Sequence, residues 1–378
     1  MNGKPAEGPR LTDRQRLNWL RLIRTENVGP ASFRDLINRF GSAEAAIAIL
    51  PELTLRGGAA RPTRVPSDRE AEAEMEAAYR FGARFVAVGE PDYPPMLRRM
   101  DLPPPLLAVA GNANFFQPSA VAIVGARNAS ATGARIARML AAELGRAGYT
   151  IVSGLARGID AAAHQGSLDT GTVAVLAGGL DRPYPPENVT LAAEIGRRGA
   201  LVSEMPFGRE PRSRDFPRRN RLVAGLGLGL IVVEAAPRSG SLISARLANE
   251  IGRIVFAVPG SPLDPRAAGT NGLIKQGATM VTDASDVIEM LAPLAGVAAP
   301  PSPPIEEPPD FAAAAPPGDD ERGRVIDALG PAPTPVDEII RHTGLHAAQV
   351  FMVLLELDLA GRLERHAGGA VSLLAPYP

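Results

Sequence analysis

The chain has 378 residues, of which 45% are hydrophobic and 21% are charged, and its formal net charge is −1. This length allows two or three globular domains, and the balanced charge gives no global indication of a nucleic-acid partner. The absence of cysteine excludes disulfides and thiolate metal sites, residues 1–10 lack the apolar core of a secretory signal, and the longest uncharged apolar run, residues 222–233, is too short to span a bilayer.

Residues 1–68 predict a small helical domain of the helix-hairpin or SAM-like kind. An apolar stripe at helical spacing begins at Leu17, residues 25–30 (Thr-Glu-Asn-Val-Gly-Pro) predict a turn, and residues 31–40 predict a second helix. Ser42 is in position to cap a third helix. Two helices joined by a glycine-containing turn can present backbone N–H groups to a phosphate, but they also form ordinary structural domains, and both interpretations stay open here.

Residues 69–118 predict a connector between this domain and the next. A helical pattern runs from residue 67 to residue 79, residues 83–88 have the composition of a strand, and the proline-rich residues 91–107 indicate an extended segment. We therefore expect the main domain to begin near residue 119.

Residues 119–292 predict an α/β domain with a Rossmann-like parallel sheet. Short β-branched runs alternate with helical patterns rich in alanine and leucine, which is typical of a parallel sheet covered by helices on both faces. In such sheets ligands bind beyond the carboxyl ends of the strands, beside helix N-termini. We expect strands near residues 120–124, 149–153, 172–176, 200–203, 229–234, 253–258 and 278–281, and helices near residues 132–147, 158–168, 187–198, 218–226, 241–251 and 284–291.

The first predicted strand of this domain ends in the motif Val-Ala-Ile-Val-Gly-Ala-Arg at residues 121–127. The motif contains neither the G-x-G-x-x-G dinucleotide fingerprint nor the lysine of a P-loop. Its glycine permits close approach of the backbone to a ligand, and Arg127 adds positive charge. A plain turn between a strand and a helix is the alternative interpretation.

The second strand ends in Ser-Gly-Leu-Ala-Arg-Gly-Ile-Asp at residues 153–160, which repeats this combination of glycine and arginine. Ser153 and Gly154 could contact a phosphate, and Arg157 could pair with it. His164 follows Asp160 by four residues, and we expect a local structural hydrogen bond between them rather than a catalytic pair.

Residues 216–221, Phe-Pro-Arg-Arg-Asn-Arg, carry the strongest physical signal. Residues 205–221 contain six arginines against two acidic residues. Arginine pairs with phosphate and an aromatic ring can stack on a base, so the run predicts a phosphate-bearing ligand. The candidates in this run are Arg218, Arg219, Asn220 and Arg221.

Two further loops open predicted helices at the same edge of the sheet. Ser239 and Gly240 belong to a Ser-Gly-Ser segment whose hydroxyl groups can cap a helix or bind an anion. Residues 269–275 end in Lys275, and there a helix cap and a ligand contact are equally good interpretations.

The C-terminal part predicts a linker and a small domain. Residues 293–318 are rich in proline and alanine, which indicates an extended linker. Residues 319–378 predict three amphipathic helices and a hairpin, the pattern of a winged-helix-like domain. Because the third helix, residues 346–359, contains no lysine or arginine, we expect it to have a protein-contact or structural role rather than to bind DNA.

Together these motifs resemble those of the DNA-processing protein A (DprA, also called Smf) family. The resemblance runs through residues 90–290, and its motifs lie at residues 121–127, 153–160, 216–221, 232–235, 239–243 and 257–260. It implies a Rossmann-like core that binds single-stranded DNA without sequence preference. The family's DNA- and phosphate-binding pocket carries over to Arg127, Ser153, Gly154, Arg157, Arg218, Arg219, Asn220, Arg221, Ser239, Gly240 and Lys275.

The same resemblance implies partners and a cellular role. Such a protein loads RecA recombinase onto single strands and displaces single-strand-binding protein, in natural transformation or homologous recombination. The resemblance further implies a cytoplasmic homodimer formed through the core, with no cofactor, no metal and no catalytic activity.

An enzyme is the alternative hypothesis. In a Rossmann-like nucleoside 5'-monophosphate phosphoribohydrolase, Glu204 or Glu234 would assist cleavage of the N-glycosidic bond. The Gly-Gly-x-Gly-Thr-x-x-Glu pattern of that group is missing from the sequence. A nucleotide-regulated binding module is a third hypothesis, but no Walker lysine or metal-binding carboxylate pair supports ATP hydrolysis.

Overall fold

A computed structural model describes residues 9–116, 119–295 and 317–374. They divide into two compact units, one built mainly from residues 73–295 and the other from residues 11–72 and 317–374. Most of the expected linker at residues 293–318 lies outside the described residues. None of the described helices is long and apolar enough to cross a membrane.

Helices and strands of the described residues are numbered in chain order. The helices are α1 (Asp13–Ile23), α2 (Pro30–Phe40), α3 (Ala43–Arg56), α4 (Asp68–Phe81), α5 (Pro95–Arg98), α6 (Ala131–Arg146), α7 (Ile159–Ser167), α8 (Val189–Arg198), α9 (Asp215–Leu226), α10 (Gly240–Glu250), α11 (Ala268–Lys275), α12 (Ala284–Leu291), α13 (Asp319–Asp327), α14 (Val336–Thr343) and α15 (Ala347–Leu359). The strands are β1 (Ala83–Ala87), β2 (Leu106–Gly111), β3 (Ala120–Gly125), β4 (Thr150–Ser153), β5 (Thr172–Val175), β6 (Ala200–Ser203), β7 (Gly229–Val233), β8 (Ile254–Ala257), β9 (Thr279–Met280), β10 (Thr334–Pro335), β11 (Leu363–Arg365) and β12 (Ala370–Leu373).

The larger unit contains a nine-stranded sheet in the order β1-β2-β6-β5-β4-β3-β7-β8-β9. Neighbouring strands from β6 to β9 in this order are parallel, whereas β1 and β2 are antiparallel to their neighbours. The seven strands and six helices predicted for residues 119–292 are all present, which confirms the α/β prediction. The sheet is wider than expected because β1 and β2 fall in the expected connector. The apolar run Leu-Leu-Ala-Val-Ala of β2 is buried, as a strand inside a sheet requires.

Strand β3 shows why the parallel strands are apolar at every position. Val121 and Ile123 pack into the hydrophobic cluster on one face of the sheet, and Ala122 and Val124 pack into the cluster on the other. Successive side chains of a strand point to opposite faces, so burial of both faces requires a continuous apolar run.

A fully buried histidine, His164, joins α7 to the sheet. The hydroxyl of Thr172 donates to the carbonyl of Ile151 at 3.0 Å, so it accepts from the Nδ1–H group of His164 at 2.7 Å. The expected bond of His164 to Asp160 is therefore replaced by a bond to strand β5. The other ring nitrogen, Nε2, is buried with no hydrogen-bond partner among the described residues. Burial, with a smaller contribution from Arg219, lowers the pKa of His164 from 6.5 to about 3.

The second unit combines the N-terminal helices with the C-terminal domain. Helices α13, α14 and α15 and the small sheet β10-β12-β11 form the predicted winged-helix arrangement. Ser42 caps α3 as predicted, accepting a hydrogen bond from the backbone N–H of Ala45.

One charged pair is buried within this C-terminal domain. Glu356 of α15 is 1% exposed and accepts two hydrogen bonds from the Arg322 guanidinium, at 2.8 and 3.1 Å. A bidentate pair of this geometry offsets the loss of hydration that burial imposes on the carboxylate.

We expect His164 to make the larger unit less stable in mild acid. The unfolded histidine takes up a proton below about pH 6.5 whereas the folded one does not, so stability is lost as pH falls from 6.5 towards 3, by about 1.4 kcal/mol for each pH unit. Urea unfolding followed by circular dichroism at several pH values measures this slope. His164→Gln should flatten the slope, and the same change at the exposed His342 should not. Equal slopes in all three proteins would contradict the assignment.

Removing one member of the buried pair should destabilise the second unit. Arg322→Met leaves a buried carboxylate without its cation, which costs about 3 kcal/mol in comparable cases. Trp19, the single tryptophan of the chain, lies in this unit, so its fluorescence reports unfolding there. Adding Glu356→Met should restore most of the loss because no unpaired charge remains. A double variant as unstable as the single one would show that the charge is not the cause.

Candidate functional site

The strand order of the large sheet reverses beside β3. From β3 the chain runs through β4, β5 and β6 on one side, and β7, β8 and β9 lie on the other side. The loops that follow β3 and β7 therefore separate and leave a crevice at the carboxyl ends of the strands, which is the usual ligand position in open α/β sheets. A cleft of about 820 Å³ occupies this crevice.

The lining of this cleft is strongly positive. Four arginines, Arg127, Arg219, Arg238 and Arg266, line it together with one carboxylate, that of Asp160. Arg266 also pairs with Asp264 at 2.9 Å, whereas the exposed Arg127 has its guanidinium over an aromatic ring. The excess of cationic groups favours a ligand that carries several negative charges.

An aromatic cluster adjoins the cleft. The guanidinium carbons of Arg127 and Arg219 lie 5.2 and 5.8 Å from the ring centroid of Phe216, and Tyr184 meets the same ring edge-on at 5.9 Å. Cation–π contacts hold these groups together, and Tyr184 is half exposed. The cluster places a flat aromatic surface beside cationic groups.

Arg219 is held beneath this cluster by a buried ion pair. Its side chain lies 3.6 Å from the Asp160 carboxylate, and both side chains are at least nine-tenths buried. Burial lowers the pKa of Arg219 and raises that of Asp160, and each partner opposes the shift of the other. An arginine stays protonated in proteins, so the Asp160 carboxylate holds a charged guanidinium in place at the base of the cleft.

Gly154 makes room for this arginine. A Cβ atom on Gly154 would lie 1.1 Å from a terminal nitrogen of Arg219, which no side-chain rotation of residue 154 could relieve. In the sequence, Gly154 is a candidate for contact with a phosphate. In the structure, its missing side chain allows the Arg219 guanidinium to lie close to the backbone.

Backbone strain is concentrated around the cleft. Leu155, Glu234 and Arg238 have positive φ angles of 58°, 54° and 67°, a conformation that side-chain-bearing residues rarely adopt. Such residues tend to cluster at binding sites, where surrounding contacts enforce them. The backbone conformation of Glu234 is held in place by its carboxylate, which accepts hydrogen bonds from the backbone N–H of Ser130 at 2.9 Å and from the Ser130 hydroxyl.

The N-terminus of α10 opens onto the cleft. Ser239 caps the helix through the backbone N–H of Ser241, and the Asn220 side chain lies 3.5 Å from the carbonyl of Gly240. Nothing lies within 4 Å of the position that a Cβ atom on Gly240 would take. Free backbone amides at an open helix N-terminus favour an anion.

The structure brings most of the predicted site residues to one edge of the sheet, but it gives them different exposure. Arg127, Asn220, Ser239 and Gly240 line the cleft, and Arg157 lines the smaller pocket beside Phe216 and Tyr184. Arg218 is half exposed, with Glu204 3.9 Å away.

The other predicted residues lie elsewhere. Ser153 is fully buried and donates to the carbonyl of Ile123 at 2.6 Å. Arg221 donates to the carbonyl of Leu102 at 2.5 Å and pairs with Glu204 at 3.2 Å. Lys275 is exposed at the end of α11 and does not line the cleft.

Three residues of the site, Arg238, Arg266 and Tyr184, were not among the predicted site residues. Arg238 immediately precedes the Ser-Gly-Ser segment, so its place in the same loop was visible in the sequence. Arg266 and Tyr184 come from more distant loops, and only the packing of those loops brings them here. Within the described ranges, no group of three or more histidine or acidic side chains is placed to hold a metal ion.

Family models match three consecutive parts of the chain. DNA recombination-mediator protein A matches residues 84–292, the DprA-like N-terminal HHH domain matches residues 13–77, and the DprA winged helix domain matches residues 307–369. The three matches follow the order of the helical, α/β and winged-helix parts described above.

Individual relatives agree with these matches. Protein Smf of Escherichia coli is 40% identical over 74% of this chain and 75% of its own length. The X-ray structure of DprA from Streptococcus pneumoniae is 34% identical, with a TM-score of 0.55 over 74% of this chain and 93% of that one. The structure of DprA from Helicobacter pylori, a protein with a described single-stranded DNA binding mode, is 30% identical, with a TM-score of 0.51 over 56% of this chain and 97% of that one. With its central α/β domain and both terminal domains matched, the chain belongs to the DprA/Smf family of DNA-processing proteins.

Proposed function

We propose that this protein binds single-stranded DNA without sequence preference at the cleft between the loops that follow β3 and β7. The observation that carries the proposal is the cleft itself, with four arginines around it and an aromatic cluster beside it. The related DprA of H. pylori, which has a single-stranded DNA binding mode, supports the same choice of ligand.

The chemistry of the cleft suits a flexible, phosphate-rich strand. Exposed arginines can pair with successive phosphates, and phosphate contacts carry no sequence information. The half-exposed Tyr184 and the Phe216 ring offer a surface on which any base can stack. A strand with unpaired bases can use both features, whereas the bases of a duplex are already stacked on each other.

The predicted site residues take two roles in this proposal. Arg127, Arg157, Arg218, Asn220, Ser239 and Gly240 are proposed to contact DNA because their groups are accessible, and Arg238 and Arg266 join them. Ser153, Gly154, Arg219 and Arg221 are proposed to support the site because they are buried or bonded to the protein. We propose no contact with DNA at this cleft for Lys275, because it does not line the cleft.

The wider role follows from family membership. We propose that the bound strand is passed to RecA recombinase, with displacement of single-strand-binding protein, during homologous recombination or uptake of transforming DNA. A homodimer through the α/β domain belongs to the same proposal, and the cytoplasmic location stays a prediction.

The phosphoribohydrolase hypothesis finds less support in the geometry. The Glu234 carboxylate is bonded to Ser130 at the start of α6, and Glu204 lies between Arg218 and Arg221. A general acid or base must reach the substrate within hydrogen-bonding distance. Because both carboxylates are engaged by protein groups, binding is the better supported function.

Titration of the protein with a fluorescent oligo-dT and with its duplex, over several salt concentrations, tests the proposal. We expect tighter binding of the single strand and a dissociation constant that rises steeply with salt. No binding, or equal weak binding of both ligands, would contradict the proposal.

Replacing one cleft arginine should remove one phosphate contact. Arg127→Ala should weaken binding of oligo-dT and of mixed-sequence strands equally, and should lower the log–log salt slope by ~0.7. Arg198→Ala is the matched control because Arg198 is also exposed but lies at the opposite edge of the sheet, paired with Asp169. A loss restricted to one sequence, or an equal loss in the control, would contradict phosphate-based recognition at this cleft.

A methyl group on Gly154 should displace Arg219. We expect Gly154→Ala to weaken single-strand binding although residue 154 touches no DNA, because the fixed charge and the Phe216 ring both shift. Gly272→Ala, which adds the same methyl group where nothing lies within 4 Å, should leave binding unchanged. Circular dichroism distinguishes a displaced arginine from an unfolded domain. Unchanged affinity in a folded Gly154→Ala protein would remove the supporting role of Arg219.

A further inference from the structure

Helix α15, the third helix of the winged-helix domain, is apolar on two faces. Val350, Val353 and Leu357 pack into the core of the winged-helix domain itself. Met352, Leu355 and Leu359, on another face, pack into a cluster with the N-terminal helices α1, α2 and α3. A helix that is hydrophobic all round is a buried helix. In a DNA-binding winged-helix domain, one face of this helix enters the major groove.

The turn between α1 and α2 makes a second contact with α15. The Asn27 side-chain amide donates to the carbonyl of Leu359 at 3.1 Å, at the C-terminal end of the helix. A Cβ atom on Gly361, just beyond the helix, would lie 3.0 Å from the same amide. This turn is the element that could present backbone N–H groups to a phosphate, and here it lies against the protein.

The C-terminal end of α3 fits α15 without space for a side chain. A Cβ atom on Gly57 would lie 1.9 Å from the backbone carbonyl oxygen of Glu356. Gly57 has φ −69° and ψ −2°, which any residue adopts, so the contact with α15 and not its own conformation requires glycine there.

Charged groups complete the contact. Arg365 of β11 pairs with Asp35 of α2 at 3.0 Å and with Asp358 of α15 at 2.9 Å. The Arg362 side chain donates to the carbonyl of Gly57 at 3.2 Å. The positive groups of the hairpin are thus directed to the N-terminal helices.

We propose that α15 is an intramolecular docking helix whose occupant is the chain's own N-terminal helical domain. In the docked pair each domain covers the element through which modules of its kind bind nucleic acid: the third helix of one and the hairpin turn of the other. Docking therefore withholds both of these elements from nucleic acid.

Thiol labelling of the full chain tests this proposal cleanly because the natural sequence has no cysteine. Leu355→Cys reports the docked face of α15, and Val353→Cys reports the face within the winged-helix core; the two side chains are 2% and 1% exposed. We expect both thiols to react slowly in the otherwise natural chain. Adding Gly57→Ala should speed labelling of residue 355 at least about tenfold and leave residue 353 protected, because the docked face opens while the core stays closed.

Gly323→Ala is the matched control, since nothing lies within 4 Å of its added methyl group, and it should change neither rate. Met352→Cys, on the docked face, repeats the measurement if Leu355→Cys does not fold. Rapid labelling of residue 355 without Gly57→Ala would overturn the proposal. So would simultaneous exposure of residues 353 and 355, because α15 would then belong to one inseparable core.

The last part of the experiment repeats the thiol labelling in the presence of DNA. With excess oligo-dT or duplex present, we expect residue 355 to stay as protected as without DNA, even when the central cleft is saturated. Faster labelling in either DNA would overturn the claim that the helix is withheld from nucleic acid. The labelling without DNA does not depend on the proposed function, because it reports docking even if the cleft binds no strand.

Discussion

The ion pair between Arg219 and Asp160 sits beneath the cleft, and much of the site is arranged around it. Moving a charged group out of water costs several kcal/mol unless a partner of opposite charge and suitable hydrogen bonds offset the loss. The pair supplies the opposite charge by joining α9 to the first turn of α7, where the Asp160 carboxylate also accepts a hydrogen bond from the backbone N–H of Ala156. Gly154 has no side chain because the guanidinium occupies that space, and Phe216 lies against the same guanidinium.

The positive charge of the cleft comes from the arginines that surround this pair. The formal net charge is −1, yet four arginines and a single carboxylate line the cleft. That carboxylate is paired with Arg219, so the excess of positive charge comes from Arg127, Arg238 and Arg266. Positive charge is thus concentrated where the strand order reverses, and the strained residues Leu155, Glu234 and Arg238 lie in the loops around the same cleft.

The second unit uses buried contacts for a different purpose. Helix α15 contributes one apolar face to its own domain and another to the N-terminal helices, and its buried Glu356 is matched by Arg322. A helix that is apolar on both faces and carries no basic residue has little to offer a phosphate-lined groove. The absence of lysine and arginine from α15 and its burial both agree with the docking role that we propose for this helix.

Residue patterns alone were enough to identify the strands, most of the helices, the loops that carry the site and the family. These features depend on residue type and on short-range periodicity, which is how the apolar runs of β3 to β8 and the arginine-rich residues 216–221 could be interpreted directly. The expected role of α15 as a protein-contact helix also followed from its composition.

Which of the arginines face the cleft, in contrast, could be seen only in the folded chain. Arg219 and Arg221 are close to the half-exposed Arg218 in the sequence, yet one is paired inside the domain and the other is bonded to Leu102 and Glu204. The addition of β1 and β2 to the sheet and the contact of α15 with the N-terminal helices also emerged only there. The physical reason is that burial and pairing depend on groups far apart in the chain, and local sequence patterns carry no information about those partners.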